Sequence, residues 1–293
     1  MSEFINIPDY ITKNQSINNL NKILKIKILI KGKFLSLIIN KTSGKFFSSL
    51  VNFFFSDKGK IYFENDLYIY KDKENKLFYT NKRVLRPTFG FEKLVNELGE
   101  DYLLEFISIL ENDLIVDCGA NIGEFYHSIR KKQKNINYIG FEPDPGAFKC
   151  LELNLKNQKG VQLFNSGLGS SNTELSFYIS EDGSDSSFIN PGVNEEIKVD
   201  STTLDSYKFG KVKLIKIEAE GYEPEVLFGA KETIKNTTFI TVDSGPERGV
   251  DGKTTLAKVT DFLYENGFKL IEFNPKRYVC LFINENQKEE YYS

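Results

Sequence analysis

Apolar and polar positions change their period along this chain, and the changes divide it. From Leu114 onward, short apolar runs alternate with segments whose apolar residues recur at three- and four-residue steps, which predicts strands alternating with helices. Strands are expected at 114–118, 137–141, 161–165, 212–217 and 238–242, and helices at 122–132, 145–156, 225–234 and 254–266. Further strands are read at 174–179 and 197–199, around a loop over 180–196 rich in Gly, Ser, Asp and Asn. Runs at 268–273 and 278–284 are close enough in sequence to pair as an antiparallel hairpin. This order predicts an α/β fold, with a Rossmann-like, doubly wound, mostly parallel sheet covered on both faces and a C-terminal antiparallel edge hairpin.

The first part of the chain follows other periods. Ile61-Tyr62-Phe63, Leu67-Tyr68-Ile69-Tyr70 and Leu77-Phe78-Tyr79 alternate around polar turns and predict a small β meander over 61–85. Arg86-Pro87 breaks it, and 92–98 and 101–110 then read as helical. Within 17–55, Ile, Leu, Val and Phe mix irregularly with lysines, and Gly32 and Gly44 are expected to divide the stretch into two or three short helices. The expected organisation is a basic, helical N-terminal extension over 1–60, the meander over 61–85, and one domain over 86–293.

Charge sharpens this division. The 293 residues carry a net charge of −3, but residues 1–60 hold ten lysines against Glu3, Asp9 and Asp57, a net +7 that leaves −10 for the remainder. No basic footprint argues for nucleic acid. Lys25, Lys27, Lys31 and Lys33 interrupt the apolar run long before the length of about 18 residues that a membrane span needs. The basic stretch suits a packing arm against the main domain or a partner subunit, hence an expected homo-oligomer, or contact with a membrane surface. Met1 to Ile11 is polar and broken by Pro8, so no signal peptide is expected; the location read is cytoplasmic, peripheral on the inner membrane face if the basic stretch meets lipid. Cys118, Cys150 and Cys280 form no even framework, and with His127 as the one histidine no metal site is expected. A divalent cation among the carboxylates is the alternative.

The chemistry concentrates where strands end. Leu114-Ile115-Val116-Asp117 runs into Cys118-Gly119-Ala120-Asn121-Ile122-Gly123-Glu124, a buried strand, a tight turn and a helix start. Gly119 and Gly123 allow backbone angles closed to other residues and let a ligand approach the main chain. A dinucleotide site would read G-x-G-x-x-G with pyrophosphate at the helix start. Here Asp117 and Glu124 flank the turn and would repel phosphate, whereas S-adenosylmethionine, with its sulfonium and ammonium, suits them. A second strand, Tyr138-Ile139-Gly140-Phe141, ends in Glu142, placed to accept hydrogen bonds from ribose hydroxyls.

Together these segments resemble the FkbM family of S-adenosylmethionine-dependent methyltransferases. The resemblance rests on Asp117-Cys-Gly-Ala-Asn-Ile-Gly123, Phe141-Glu-Pro-Asp-Pro145 with Asn154 downstream, Thr203-Leu-Asp205, Lys216-Ile-Glu-Ala-Glu-Gly-Tyr-Glu223 and Val226-Leu-Phe-Gly-Ala230, in the family's order, over about 86–284. One position departs: Glu218 stands where the family usually has aspartate. The resemblance implies a class I methyltransferase fold and methyl transfer to a hydroxyl of a glycan or another small acceptor.

Site roles follow from placement at strand ends. Gly119, Asn121 and Gly123 are expected to hold the methionine part, Asp117 to orient its ammonium directly or through water, Glu142 to hold the ribose, and Asn165-Ser166-Gly167 to border adenine. Methyl transfer to a hydroxyl needs positioning and a base. Glu218, Glu220, Glu223 and Asp243 are the candidates, with Lys216 to temper or pair with them. Two other readings stay open: a nicotinamide-dependent Rossmann oxidoreductase, and a binding module without turnover.

Overall fold

A computed structural model of the protein describes residues 22–55, 58–180 and 186–290. The expectations placed on residues 1–21 and 181–185 lie outside these. The chain forms two compact units that divide between Lys93 and Leu94.

In the first unit, helices α1 (Lys22–Lys41) and α2 (Gly44–Phe54) precede a meander of β1 (Lys60–Glu64), β2 (Leu67–Lys71) and β3 (Lys76–Tyr79). Buried Phe47, Val51, Ile61, Tyr68, Tyr70, Leu77 and Tyr79 form its core. The Asn52 side chain joins α2 to β1, accepting from the Ile61 amide at 2.8 Å and donating to the Ile61 carbonyl at 2.7 Å. Gly32 does not divide α1 as expected. A glycine inside a helix costs only about 1 kcal/mol, and tertiary packing at Leu35 and Ile38 sits directly after it. The break falls instead at Thr42-Ser43, before Gly44 at φ +55°.

Helix α3 (Phe91–Asp101) spans the division between the units. The second unit holds a seven-stranded sheet made from β4 (Leu114–Cys118), β5 (Asn137–Phe141), β6 (Val161–Phe164), β10 (Val212–Ile217), β11 (Thr237–Asp243), β12 (Phe268–Asn274) and β13 (Val279–Asn284). Its order is β12-β13-β11-β10-β4-β5-β6. All neighbours are parallel except β13, which is antiparallel to both β11 and β12. Alternate residues of each strand enter two cores. Val116, Ile139, Ile215, Ile217, Ile240 and Val242 pack with Val226 and Leu227 of α6 (Glu223–Phe228) and Val259 and Leu263 of α7 (Leu256–Glu265). On the other face Ile115, Tyr138, Leu214, Phe239 and Leu281 pack with Phe125 and Ile129 of α4 (Glu124–Lys132) and Leu151 and Leu155 of α5 (Pro145–Leu155). This is the doubly wound sheet that the alternation predicts. A separate three-stranded sheet, order β7-β9-β8, joins β7 (Gly167–Leu168), β9 (Glu196–Thr202) and β8 (Thr173–Tyr178).

Two helices are shorter than expected. The stretch 101–110 does not continue as a helix, because Leu103 adopts φ +61° and only one 3-10 turn follows, Leu104–Phe106. Tyr102, Leu103, Leu104, Ile107 and Ile109 bury without helical geometry, a case that spacing cannot distinguish. Helix α6 stops at Phe228, where a Cβ on Gly229 would lie 1.9 Å from the Gly169 carbonyl oxygen; the chain resumes as a 3-10 turn at Thr233–Asn236. Asp205 of the Thr203-Leu-Asp205 segment caps that turn, accepting from the Glu232 and Thr233 amides at 2.8–3.1 Å.

Candidate functional site

The order of the sheet reverses between β4 and β10, and crevices beyond the carboxyl ends of such strands receive ligands. There the two tips are drawn close. The Glu218 amide donates to the Cys118 carbonyl at 3.0 Å, and a Cβ on Gly119 would stand 2.0 Å from the Glu218 carbonyl oxygen. Gly119 sits at φ +81°, so this position needs glycine for both angle and space. Asn121 at φ +48° and Gly123 at φ +92° complete the turn. Leu151 and Leu155 of α5 occupy the space a side chain at Gly123 would need, and Asn154 fixes the turn by donating to the Ile122 carbonyl at 2.8 Å.

Glu142 closes the second strand tip. Its Oε2 accepts from the Asn121 amide at 2.7 Å and its Oε1 from the Asp144 amide at 2.8 Å. Each oxygen keeps a lone pair beyond these bonds. Burial pushes the carboxyl up to about 8, against the pull of the two amides. Asp144 in turn caps α5, accepting from the Gly146 and Ala147 amides, with Pro145 at the first helical position.

Asp117 is placed otherwise than expected. Its side chain is fully buried; Oδ2 accepts from the Tyr138 hydroxyl, and Lys216 Nζ stands 3.0 Å from Oδ1 as an ion pair without hydrogen-bond alignment. No face remains for direct contact with a ligand ammonium. Lys216 itself is enclosed. Its Nζ donates to the Gly119 carbonyl at 2.8 Å, pairs with Asp117 and with Glu218 Oε2 at 2.9 Å, and lies over the Tyr102 ring, 5.2 Å from its centroid. Burial opposes its charge, but the two carboxylates more than offset that and raise its pKa. The ammonium is buried among three protein oxygens, so Lys216 braces the turn and does not reach a substrate.

The carboxylates divide by environment. Burial alone would raise Glu218; Lys216, the Tyr102 hydroxyl and Arg277 outweigh it and hold the carboxyl at about 2. Asp243 is pushed up to about 7 by burial and by Glu218 and Glu247, although Arg277 Nη2 lies 3.1 Å from Oδ2 and the Gly245 amide donates to Oδ1 at 3.1 Å. Glu247, half-buried, rises to about 7 through burial and the negative charges of Glu223 and Glu218. Its Oε1 and Asp243 Oδ1 lie 3.1 Å and 3.3 Å from the place a Cβ on Gly245 would take, so the two carboxyls share one corner. Glu220, at φ +49°, lends its carbonyl to the Ser187 hydroxyl at 2.8 Å, and its side chain meets Glu247. Glu223 works inside the turn: Oε1 accepts from the Ala219 and Gly221 amides at 3.2 Å and 2.9 Å, and Oε2 from the Thr255 hydroxyl at 2.8 Å.

At the third tip, Asn165 donates to the Glu142 carbonyl at 2.8 Å. The Ser166 hydroxyl is engaged inside, its one proton within reach of the Gly167 carbonyl at 2.9 Å and the Asp200 carbonyl at 3.2 Å. A Cβ on Gly167 would lie 2.1 Å from the Phe188 ring, so that ring covers the glycine. Gly119, Asn121, Gly123, Glu142, Glu218, Glu220 and Asp243 therefore gather at the strand tips with Asn165 at their border. Asp117, Lys216, Ser166 and Gly167 stand behind them. Arg277, Tyr102, Glu247 and Phe188 are additions. Nothing in the local pattern singles out Tyr102 or Phe188; Arg277 is marked only by lying in the hairpin turn that returns to the tip of β11.

Residues 117–270 match the family described as Methyltransferase FkbM domain, more than half of the chain. The chain belongs to the FkbM methyltransferase family. Membership decides between the readings left open by the glycine turn, in favour of a methyltransferase and against a nicotinamide oxidoreductase. The chain is 29% identical over 147 residues to the hexuronic acid methyltransferase AglP of Haloferax volcanii, covering 49% of this chain and 59% of that protein. It is 25% identical over 228 residues to the 2-O-methyltransferase NoeI of Sinorhizobium fredii, covering 70% of this chain and 92% of that one. A solved FkbM methyltransferase from Methylobacillus flagellatus aligns with a TM-score of 0.42 and 18% identity, over 69% of this chain and 60% of that chain.

Proposed function

We propose that the protein is an S-adenosylmethionine-dependent O-methyltransferase whose acceptor is a sugar hydroxyl of a glycan or glycan precursor. The observation that carries this is the buried Glu142 carboxyl, fixed by the Asn121 and Asp144 amides at the mouth of a glycine turn bordered by acids. It offers lone pairs to a ribose diol. The ionised Glu218 beyond Gly119 favours a cationic ligand and disfavours a pyrophosphate. The names of the AglP and NoeI relatives support a sugar hydroxyl as acceptor.

When bound, the cofactor supplies an electrophilic methyl group on a sulfonium. The turn Gly119-Asn121-Gly123 holds its methionine end, Glu142 its ribose, and Asn165 its base. Glu247, the more open member of the Asp243–Glu247 corner, takes the proton of the acceptor hydroxyl. Its pKa of about 7 suits a base working near neutrality. Glu218, held at about 2, is a poor base and serves the charge of the site. Arg277 sits between Glu218 and Asp243, 3.4 Å and 3.1 Å away, and keeps the acids apart. Mass spectrometry of glycans from cells with and without the protein tests the acceptor: a methyl-sized difference supports a sugar hydroxyl, and identical glycans refute it.

A further inference from the structure

We propose that the outward face of α1, continued by the end of α2, docks on an anionic lipid surface. Helix α1 is apolar on two sides. Leu35 and Ile38 turn into the core of the first unit. On the other side Ile26, Ile30, Phe34 and Leu37 are 49%, 63%, 40% and 58% exposed. Their spacing of four, four and three residues aligns them in one stripe along the helix. Phe53 and Phe54, 81% and 46% exposed, extend it. Phe54 meets Phe34 edge-on at 5.0 Å and Phe53 at 4.7 Å. Scattered exposed apolar residues need no explanation, but a contiguous stripe marks a surface that is covered in use.

Charge identifies what covers it. Residues 22–55 contain seven lysines and no aspartate or glutamate. Lys31, Lys33, Lys41 and Lys45 are exposed, and Lys41 lies one helical turn beyond Leu37 on the striped side. A second copy docking through the same face would bring these lysines against their equivalents, with no carboxylate from the segment to meet them. A nucleic acid would satisfy the lysines and leave the phenylalanines and isoleucines in water. An anionic bilayer interface satisfies both: the stripe enters the acyl boundary while the lysine stems lie along it and their ammonium groups reach the headgroups. No described helix is long and apolar enough to cross a membrane, so α1 would lie along the surface.

The test is cosedimentation of the full chain with vesicles of phosphatidylcholine alone and of phosphatidylcholine mixed with phosphatidylglycerol. The chain pellets with the mixed vesicles and at least about tenfold less with the neutral ones, and 1 M salt, which shortens the screening length to about 3 Å, weakens the binding. The exposed triple change Ile30→Ser, Phe34→Ser, Leu37→Ser reduces binding at least about tenfold, as does Lys33→Glu, Lys41→Glu, Lys45→Glu. Circular dichroism and S-adenosylhomocysteine affinity stay at wild-type values in both, which separates this surface from the strand-tip site. Three results overturn the proposal: wild-type protein left in the supernatant with both vesicles, undiminished binding of either variant, or a dimer in sedimentation equilibrium that the serine variant abolishes.

Discussion

Three oxygens surround the Lys216 ammonium, and removing it leaves the buried Asp117 without its cation and Glu218 with Arg277 alone at 3.4 Å. Lys216→Met therefore destabilises by about 3–5 kcal/mol, the cost of breaking a buried ion pair from one side, seen as a lowered midpoint in chemical denaturation. An unchanged midpoint would mean that Asp117 and Glu218 do not need it. At the other corner, Glu247→Gln lowers kcat by about 10²–10⁴-fold and leaves S-adenosylhomocysteine affinity intact. The pH dependence has a definite sign. Below about 7 the Glu247 carboxyl is protonated and cannot accept, so the wild-type rate rises with pH through that value and the variant's profile is flat there. A wild-type profile in the variant would move the base elsewhere. At this scale the sequence shows the acids at strand ends, but not which are ionised. Glu218 and Asp243 look alike as strand-end carboxylates; Lys216, Tyr102 and Arg277 hold Glu218 at about 2, whereas burial and the charges of Glu218 and Glu247 raise Asp243 to about 7. Tyr102 arrives from more than a hundred residues away, which no local pattern reveals.

The turn after β4 is where backbone geometry matters most. Gly119→Ala introduces a side chain at φ +81° against the Glu218 carbonyl and costs at least about 2 kcal/mol, with loss of cofactor-analogue binding because the tips of β4 and β10 are forced apart. Gly210→Ala, whose added Cβ meets nothing within 4 Å, is the control and stays near wild type. Equal melting midpoints for the two variants would contradict the close approach. Elements with a strict period were legible: β4, β5 and β10 lie where their apolar runs stop. The breaks were not. Leu103 breaks a stretch through its own φ of +61°, Gly229 lies at a helix end against the distant Gly169 carbonyl, and Gly32 fails to end a helix because its neighbours are buried. The Thr203-Leu-Asp205 and Glu223 positions read as part of a functional motif, and both hold turns in place through backbone amides.

Among the described residues, five carboxyls titrate higher when folded than when unfolded, Asp117 being raised by burial. Glu142 rises from 4.5 to about 8, Glu223 and Glu247 from 4.5 to about 7, and Asp243 from 3.8 to about 7, burial being the first cause in each. A raised folded pKa gives stability that is complete below the unfolded value and is lost as pH rises through the folded one. Glu218 has the opposite sign: its contribution is present above 4.5 and is lost as pH falls toward 2. The melting midpoint of the cofactor-free protein accordingly falls between about pH 5 and pH 9, and Glu142→Gln makes that fall shallower. A midpoint that holds level or climbs over this range would contradict the burial of these carboxyls. The sheet order that creates the site was legible only as a class; the alternation predicts parallel strands, while the placement of β13 between β11 and β12 depends on how the hairpin packs.

Recognition of a nucleoside ribose by Glu142 at the strand tips is tested most directly by titration calorimetry. S-adenosylhomocysteine, which lacks the sulfonium charge but keeps the ribose, is predicted to bind the wild-type protein, to bind Glu142→Ala at least about tenfold more weakly for loss of the ribose hydrogen bonds, and to be preferred over NAD. Equal affinity in wild type and Glu142→Ala, or NAD binding as well as S-adenosylhomocysteine, would contradict it.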